Sequence, residues 1–228
     1  MNKKILLTGS TSGIGKTLAT QLLEEGHDLY LPVRNIKTAT ELFSCFPNAH
    51  PELRNLEDYD DMIEYAILCR QEGVVFDYVL PLVGNLVYDD DEQFSGTTKE
   101  EKLASSIEFH ERVNVLTAQT VVFGLQKAYG DLLKQAIAAF ISSWAVAFEL
   151  GNPKRVNEEG YISGKNSLER TAGQWKTEAV FKDVFIDRAV FVITPLTQRR
   201  FPHLIVDPSV PKQLPEEYVP HFRKVIGL

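Results

Sequence analysis

Short apolar runs alternate along the chain with stretches whose apolar residues recur at helical spacing. The first run, Ile5-Leu6-Leu7, passes through a turn rich in glycine and serine into a helical pattern from Lys16 to Glu25 that Gly26 closes. Asp28 to Val33 predicts a second strand, and Ile36 to Cys45 a helix ended by Phe46-Pro47. His50 to Leu56 is a weaker third strand, interrupted by Pro51. Leu56 to Arg70 predicts a helix with Glu57, Asp58, Asp60 and Asp61 at its start, where the helix dipole favours acids. Val74 to Val83 is a continuous apolar run, the pattern of a central parallel strand covered on both faces. Lys99 to Lys127 reads as one long helix, Ala136 to Ser142 as a buried strand, and Tyr161 to Phe181 as another helix. Val184 to Thr194, dense in β-branched and aromatic residues, predicts the last strong strand. The prolines at 195, 202, 208, 211, 215 and 220 leave the tail as loops and one short helix. Regular βα alternation predicts an α/β fold, a doubly wound parallel sheet of six or seven strands with helices on both faces.

At 228 residues the chain is long enough for one full α/β domain, and no repeat or linker divides it. A net charge of −7 and a pI near 5.3 argue against nucleic acid or an anionic membrane surface as the main partner. Cys45 and Cys69 fit no metal or redox spacing and are expected as buried free thiols of a reducing compartment. Asn2-Lys3-Lys4 and the apolar run after it start like a signal peptide, but polar residues interrupt the run at Thr8. Ala136 to Leu150 contains Ser142 and Ser143 and is shorter than the ~20 residues a membrane span needs, so a cytoplasmic protein is expected. Asn85 to Gly96 holds Asp89-Asp90-Asp91-Glu92 and reads as a solvated loop; adjacent acids point in different directions, so no metal site is expected there.

The opening turn, Thr8-Gly9-Ser10-Thr11-Ser12-Gly13-Ile14-Gly15, is where chemistry first enters. Glycines let the backbone pass close to an anion, and the helix start offers unpaired N–H groups and a positive dipole end. A mononucleotide P-loop needs G-x-x-x-x-G-K-S/T; Gly15-Lys16-Thr17 supplies its second half, but Ser10 stands where the first glycine belongs. An NTPase also needs an acid after an apolar strand to hold Mg²⁺, whereas Asp77 precedes the strongest run. The dinucleotide fingerprint G-x-G-x-x-G is not matched either, since the glycines are spaced 9, 13 and 15. Further along, Ser142-Ser143 close the fifth strand and Tyr161 and Lys165 lie one turn apart on one helix face. A nearby ammonium favours the phenolate, so Lys165 is expected to bring the Tyr161 pKa down toward working pH. A serine at the carboxyl end of the neighbouring strand opens onto the crevice where such sheets bind ligands.

Together, Thr8-Gly9-x-x-x-Gly13-x-Gly15, the Asn114 of Arg112-Val113-Asn114-Val115-Leu116, Ser143 and Tyr161-x-x-x-Lys165 resemble, in this order, the motifs of the short-chain dehydrogenase/reductase family. The resemblance covers most of the chain. It implies a Rossmann-type fold, with residues 1–228 as a single NAD(P)-binding domain and 195–228 as a short substrate-side lid or tail. It implies an NAD(P)-dependent oxidoreductase acting on CH–OH or C=O groups of a small carbonyl or alcohol substrate. Tyr161 would give or take the proton, Ser143 would hydrogen-bond the substrate oxygen, and Lys165 would hold the nicotinamide ribose. Asn114 would hold a water that passes the proton onward; by itself it reads equally as a polar residue stabilising a helix distortion. The cofactor would be held by Thr8, Gly9, Ser10, Thr11, Ser12, Gly13, Ile14 and Gly15. Arg34, Asn55, Leu56, Gly84, Tyr161, Lys165, Pro195 and Thr197 would complete its contacts.

Charge then selects the cofactor. NAD binding uses an acid at the end of the second strand, but Leu31-Pro32-Val33-Arg34-Asn35 has none, and the planar fork of Arg34 suits a 2′-phosphate. NADP(H) is therefore expected over NAD(H). Three departures from the family pattern stand out. Pro81-Leu82-Val83-Gly84 replaces N-N-A-G; the gap from Ser143 to Tyr161 is lengthened, with Trp144, Phe148, Asn152 and Pro153 inside it; and Pro195-Leu196 replaces P-G in a shortened C-terminal part. His203 to Asp207 is a candidate short seventh strand, and Phe201, His203, Tyr218 and Phe222 are aromatic residues for a lid or for the core. These departures leave a non-catalytic NADP(H)-binding sensor as the alternative to the reductase. The family also packs subunits through its long helices, so a homodimer or homotetramer is expected, with Leu103, Ile107, Val121 and Phe123 in contact.

Overall fold

The structure is a computed structural model that describes residues 2–85, 87, 89, 91–143, 146, 158–189, 191–192 and 212–228. Strands β1 (Lys4–Thr8), β2 (Asp28–Val33), β3 (Ala49–Leu53), β4 (Tyr78–Pro81), β5 (Ile137–Ser143) and β6 (Asp183–Ala189) form a parallel sheet in the order β3-β2-β1-β4-β5-β6. The order reverses between β1 and β4, which opens the crevice at the carboxyl ends of those strands. This is the Rossmann-type α/β arrangement expected from the alternation. A separate pair of short strands, β7 (Phe191–Val192) and β8 (Lys212–Gln213), runs parallel beside it. The candidate seventh strand, His203 to Asp207, lies outside the described residues.

Alternation along each strand divides the core into two layers. Ile5 and Leu7 of β1 face one side with Leu29, Leu31 and Leu80. There they meet α1 (Gly13–Glu24), α2 (Ile36–Phe43) and α7 (Pro215–Ile226). Leu6 faces the other side with Val79, Ala138 and Phe140, beneath α3 (Tyr59–Gln71), α5 (Thr117–Tyr129) and α6 (Glu159–Thr177). Pro51 sits in β3, which pairs with β2 alone among the described strands, and a strand at the edge tolerates a residue that cannot donate to a ladder.

Several boundaries shift for physical reasons. Val74 to Val83 contributes a strand over Tyr78–Pro81 alone; Val74 and Phe76 are core residues of the connection that precedes it. The expected helix from Lys99 to Lys127 is interrupted. It runs as α4 (Lys99–Glu111), a π-helical turn at Arg112–Leu116, and then α5. Tyr218 and Phe222 are buried in the α7 core face, not part of a lid. Tyr218 also donates to the Asp187 carboxylate at 2.6 Å, which ties the C-terminal helix to β6. Cys69 is buried as expected, whereas Cys45 is exposed just past α2. Val121 is fully buried on the inner face of α5, so it offers nothing to a partner subunit, while Phe123 is exposed and stacks edge-on against Tyr59 at 5.3 Å.

Helices α3 and α5 touch through Gly124. A Cβ added there would stand 2.5 Å from the Met62 carbonyl oxygen. Gly124→Ala is expected to lower stability by about 1–3 kcal/mol through overpacking, read as an earlier urea midpoint with an unchanged slope.

Candidate active site

The turn between β1 and α1 lies at the carboxyl edge of the sheet. Gly9 and Gly13 both adopt positive φ, +70° and +51°, which a side chain would strain. Gly15 is held by contact instead: a Cβ there would come within 2.2 Å of the Gly9 carbonyl oxygen. Gly9 in turn rests against the Leu82 backbone, so the turn is wedged between α1 and the end of β4. Ser12 precedes α1 in an extended conformation and its side chain makes no capping hydrogen bond. Thr8 and Ser10 are buried, and their hydroxyls have no hydrogen-bond partner among the described residues. Buried polar atoms are normally paired, so two orphaned hydroxyls beside a helix N-terminus fit an anionic group bound there.

Across the crevice, β5 ends at Ser143 and α6 begins at Glu159. Ser143 hydrogen-bonds Tyr161. Lys165 is buried one turn beyond, and its ammonium donates to the Ile141 carbonyl at 3.0 Å. Asn114 stands in the π-helical turn, where its Nδ2 donates to the His110 carbonyl at 2.9 Å, so it does support a helix distortion. Its Oδ1 is buried without a partner among the described residues. Gly84, after β4, is where these heads meet: a Cβ there would lie 3.0 Å from Asn114 Oδ1 and 3.3 Å from Lys165 Nζ. The structure thus brings together Ser143, Tyr161, Lys165, Asn114 and Gly84, and places the Thr8–Gly15 turn at the same sheet edge.

Electrostatics differ from expectation in one respect. Burial pushes the Tyr161 phenol up to about 12, and the Ser143 hydrogen bond draws it back only in part. Lys165 does not bring it down. Its Nζ faces the Tyr161 ring, 5.8 Å from the centroid, and burial pushes its own pKa down to about 8 despite the Glu169 carboxylate. Both shifts follow from removing the charged form from water.

Other expected contacts vary. Arg34 is exposed directly after β2, where no acid accompanies it. Asn55 accepts from the Glu57 N–H at 3.1 Å. The Leu56 side chain packs in the core, and its carbonyl accepts from Thr120 at 2.6 Å. Pro195 and Thr197, with Trp144, Phe148, Asn152 and Pro153, lie outside the described residues. The mononucleotide alternative fails on Asp77. That carboxylate accepts from Lys3 Nζ and from the Lys4 N–H, both at 2.9 Å, at the amino end of the strands, opposite the glycine turn.

The loop after β4 is not simply solvated. Asp89 is buried and accepts from the Glu159 and Gly160 N–H groups at 2.9 and 3.1 Å, so it caps α6 from a distant part of the chain. Ser106 Oγ donates to the same carboxylate at 2.7 Å, and His110 lies one turn on. Ser106 and His110 share with Asn114 the spacing of one helix face, which is the sole sequence signal of those two; Asp89 shows in the sequence only as part of an acidic run that reads as solvated. Among the described residues no cluster of His, Cys, Asp and Glu could hold a metal ion. No helix among them is long and apolar enough to cross a membrane.

No family model matches the chain. The 3-oxoacyl-(acyl-carrier-protein) reductase FabG of Staphylococcus epidermidis is 26% identical over 180 residues, 76% of this chain and 69% of that protein. Among solved structures, a short-chain type dehydrogenase/reductase from Mycobacterium marinum superposes with a TM-score of 0.79 at 15% identity, covering 98% of this chain and 88% of that one. An alcohol dehydrogenase from the archaeon Thermococcus sibiricus, complexed with 5-hydroxy-NADP, gives 0.72 at 19% identity over 100% and 92%. The structural likenesses show the fold, and the FabG relative supports the resemblance to the short-chain dehydrogenase/reductase family.

The burial of Lys165 is directly measurable. With ¹⁵N-labelled lysine, its ammonium is expected to titrate near pH 8, against 10.5 for an ordinary lysine. Because the folded value is depressed, folding gains stability as pH rises from about 8 toward 10. Lys165→Met should flatten that slope in urea titrations.

Proposed function

We propose that the protein is an NADP(H)-dependent reductase of small carbonyl compounds, with Tyr161 as proton donor. The observation that carries this reading is the meeting of Asn114 and Lys165 at Gly84, with the hydrogen-bonded Ser143–Tyr161 pair next to Lys165 and two orphaned hydroxyls in the glycine turn. When bound, the nicotinamide would supply the hydride. The chain's own residues supply the rest. The N–H groups at the start of α1, with Thr8 and Ser10, would hold the pyrophosphate, and Arg34 would meet the adenosine 2′-phosphate. A phenol held near 12 remains protonated at neutral pH, the form needed to donate to a carbonyl oxygen that is gaining an electron pair. Ser143 would share that oxygen and orient it toward the phenol. Lys165, with one hydrogen bond on Ile141, has further N–H groups free to meet the ribose hydroxyls. The Asn114 Oδ1 would accept from a water that restores the Tyr161 proton.

Cytoplasmic action on a soluble small molecule, and assembly into a homodimer or homotetramer, belong to the same reading.

Titration with NADPH and NADH, followed by a panel of ketones and aldehydes, tests the reading. Tyr161→Phe is expected to lower kcat by about 10²–10⁴-fold while NADPH still binds. NADPH binding with no turnover, unaltered by Tyr161→Phe, would instead support a cofactor sensor. Arg34→Ala removes one charge-assisted contact worth about 1.5–3 kcal/mol, so NADPH affinity should fall about 10- to 150-fold with NADH affinity unchanged. A parent protein that prefers NADH would overturn the choice of cofactor.

A further inference from the structure

Helix α6 carries Tyr161 in its first turn, and that turn is gripped from outside the helix. Asp89 receives the Glu159 and Gly160 N–H groups, placing a carboxylate on the positive end of the helix. Ser106 holds the carboxylate from α4. Contact reinforces the grip. A Cβ on Gly160 would stand 2.3 Å from Ser106 Oγ and 2.9 Å from Asp89 Oδ1, and a Cβ on Gly164 would press on His110 at 3.0 Å. Gly160 and Gly164 each precede a residue of the proposed site, Tyr161 and Lys165, so the depth at which α6 seats on α4 sets where both side chains emerge.

His110 completes the arrangement. Its ring is fully buried and meets the Tyr161 ring edge-on, with centroids 5.8 Å apart. The Val87 N–H donates to Nε2 at 3.2 Å, which requires that nitrogen to be unprotonated. Nδ1 then carries the proton and donates to the Ser106 carbonyl at 2.8 Å. Protonating Nε2 would set two donors face to face and break the link to the loop that bears Asp89.

We propose that Asp89, Ser106 and His110 are positioning residues for Tyr161, a brace that holds the phenol toward Ser143 while His110 is neutral and releases it when His110 takes up a proton. The proposal rests on the reductase reading of Tyr161. The charged groups acting on the ring are the Asp89 carboxylate, from the loop after β4, and the Lys165 ammonium, from α6. Phe94, Phe109 and Tyr161 supply its aromatic surroundings. Burial holds the imidazole pKa below its ordinary value, and Lys165 acts in the same direction, while the Ser106 carbonyl and Asp89 oppose them. The depressed value means that the brace is intact above the usual histidine range and is lost as pH falls below it.

The test combines kinetics with NMR on the full chain. Asp89→Ala should lower kcat by roughly 10- to 100-fold, the scale of a misplaced catalytic group, with NADPH affinity little changed and an earlier unfolding midpoint from the lost cap. His110→Leu should lower kcat likewise, and His110→Gln, whose amide oxygen can accept from Val87 without titrating, should recover most of it and lose the acid-side inflection of the parent. Parent turnover with unaltered kcat and pH profile in all three variants would overturn the brace and leave the reductase standing. A parent without NADPH-dependent turnover would overturn the reductase, and the brace would then be decided by ¹³C-tyrosine NMR. The Tyr161 ring resonances should move with the His110 titration in the parent and stay fixed in His110→Gln. A Tyr161 signal indifferent to His110 overturns the brace whatever the kinetics show.

Discussion

The site depends on how closely α6 can lie against α4. Gly160 and Gly164 remove the two side chains that would hold the helices apart, and Ser106 and His110 occupy the space they leave. Because α-helical residues four apart share a face, this single seam sets the outward direction of both following residues, Tyr161 and Lys165. The same α4 face continues to Asn114, where the π-helical turn brings Oδ1 to Gly84. Three parts of the chain distant in sequence therefore reach one point through close contacts at glycines, the tightest of them at Gly160. The glycine turn repeats the device at the neighbouring strand end, with Gly15 on Gly9 and Gly9 on Leu82.

Burial then decides the chemistry of what converges. Taken out of water, a phenol keeps its proton and an amine gives its proton up more readily, and Tyr161 and Lys165 shift in these opposite directions. The pair is thus a protonated phenol beside an ammonium whose pKa is drawn down to about 8. A phenolate activated by its lysine is not what the geometry holds, since the ammonium faces the ring and hydrogen-bonds Ile141. Ser143 is the group that acts on the hydroxyl directly.

Much of this was legible in the sequence because it is periodic or punctuated. The apolar runs of β1, β2, β5 and β6 and the helical patterns between them yield the layered sheet, and glycine spacing marks the first turn. Tyr161 and Lys165 declare themselves through a one-turn spacing. What escaped depends on long-range contact. Asp89 sits among four consecutive acids and reads as solvated, yet the N-terminus of a helix 70 residues on draws it inside. His110 looks like a surface residue of a charged helix until α6 covers it. The break at Arg112–Leu116 was hidden because a π-helical turn keeps helical composition and alters only the hydrogen-bond register. The strand expected from Val74 came out short because an apolar connection and an apolar strand share the same hydrophobicity, and pairing with β1 and β5 is confined to the stretch from Tyr78.

A crystal structure of the protein with bound NADP⁺ tests the central claim most directly. The account predicts the pyrophosphate over the start of α1 against Thr8 and Ser10, and the nicotinamide ribose within hydrogen-bond distance of both the Tyr161 hydroxyl and Lys165 Nζ. A cofactor bound away from the Gly9–Gly15 turn, or a Tyr161 hydroxyl directed out of that crevice, would contradict it.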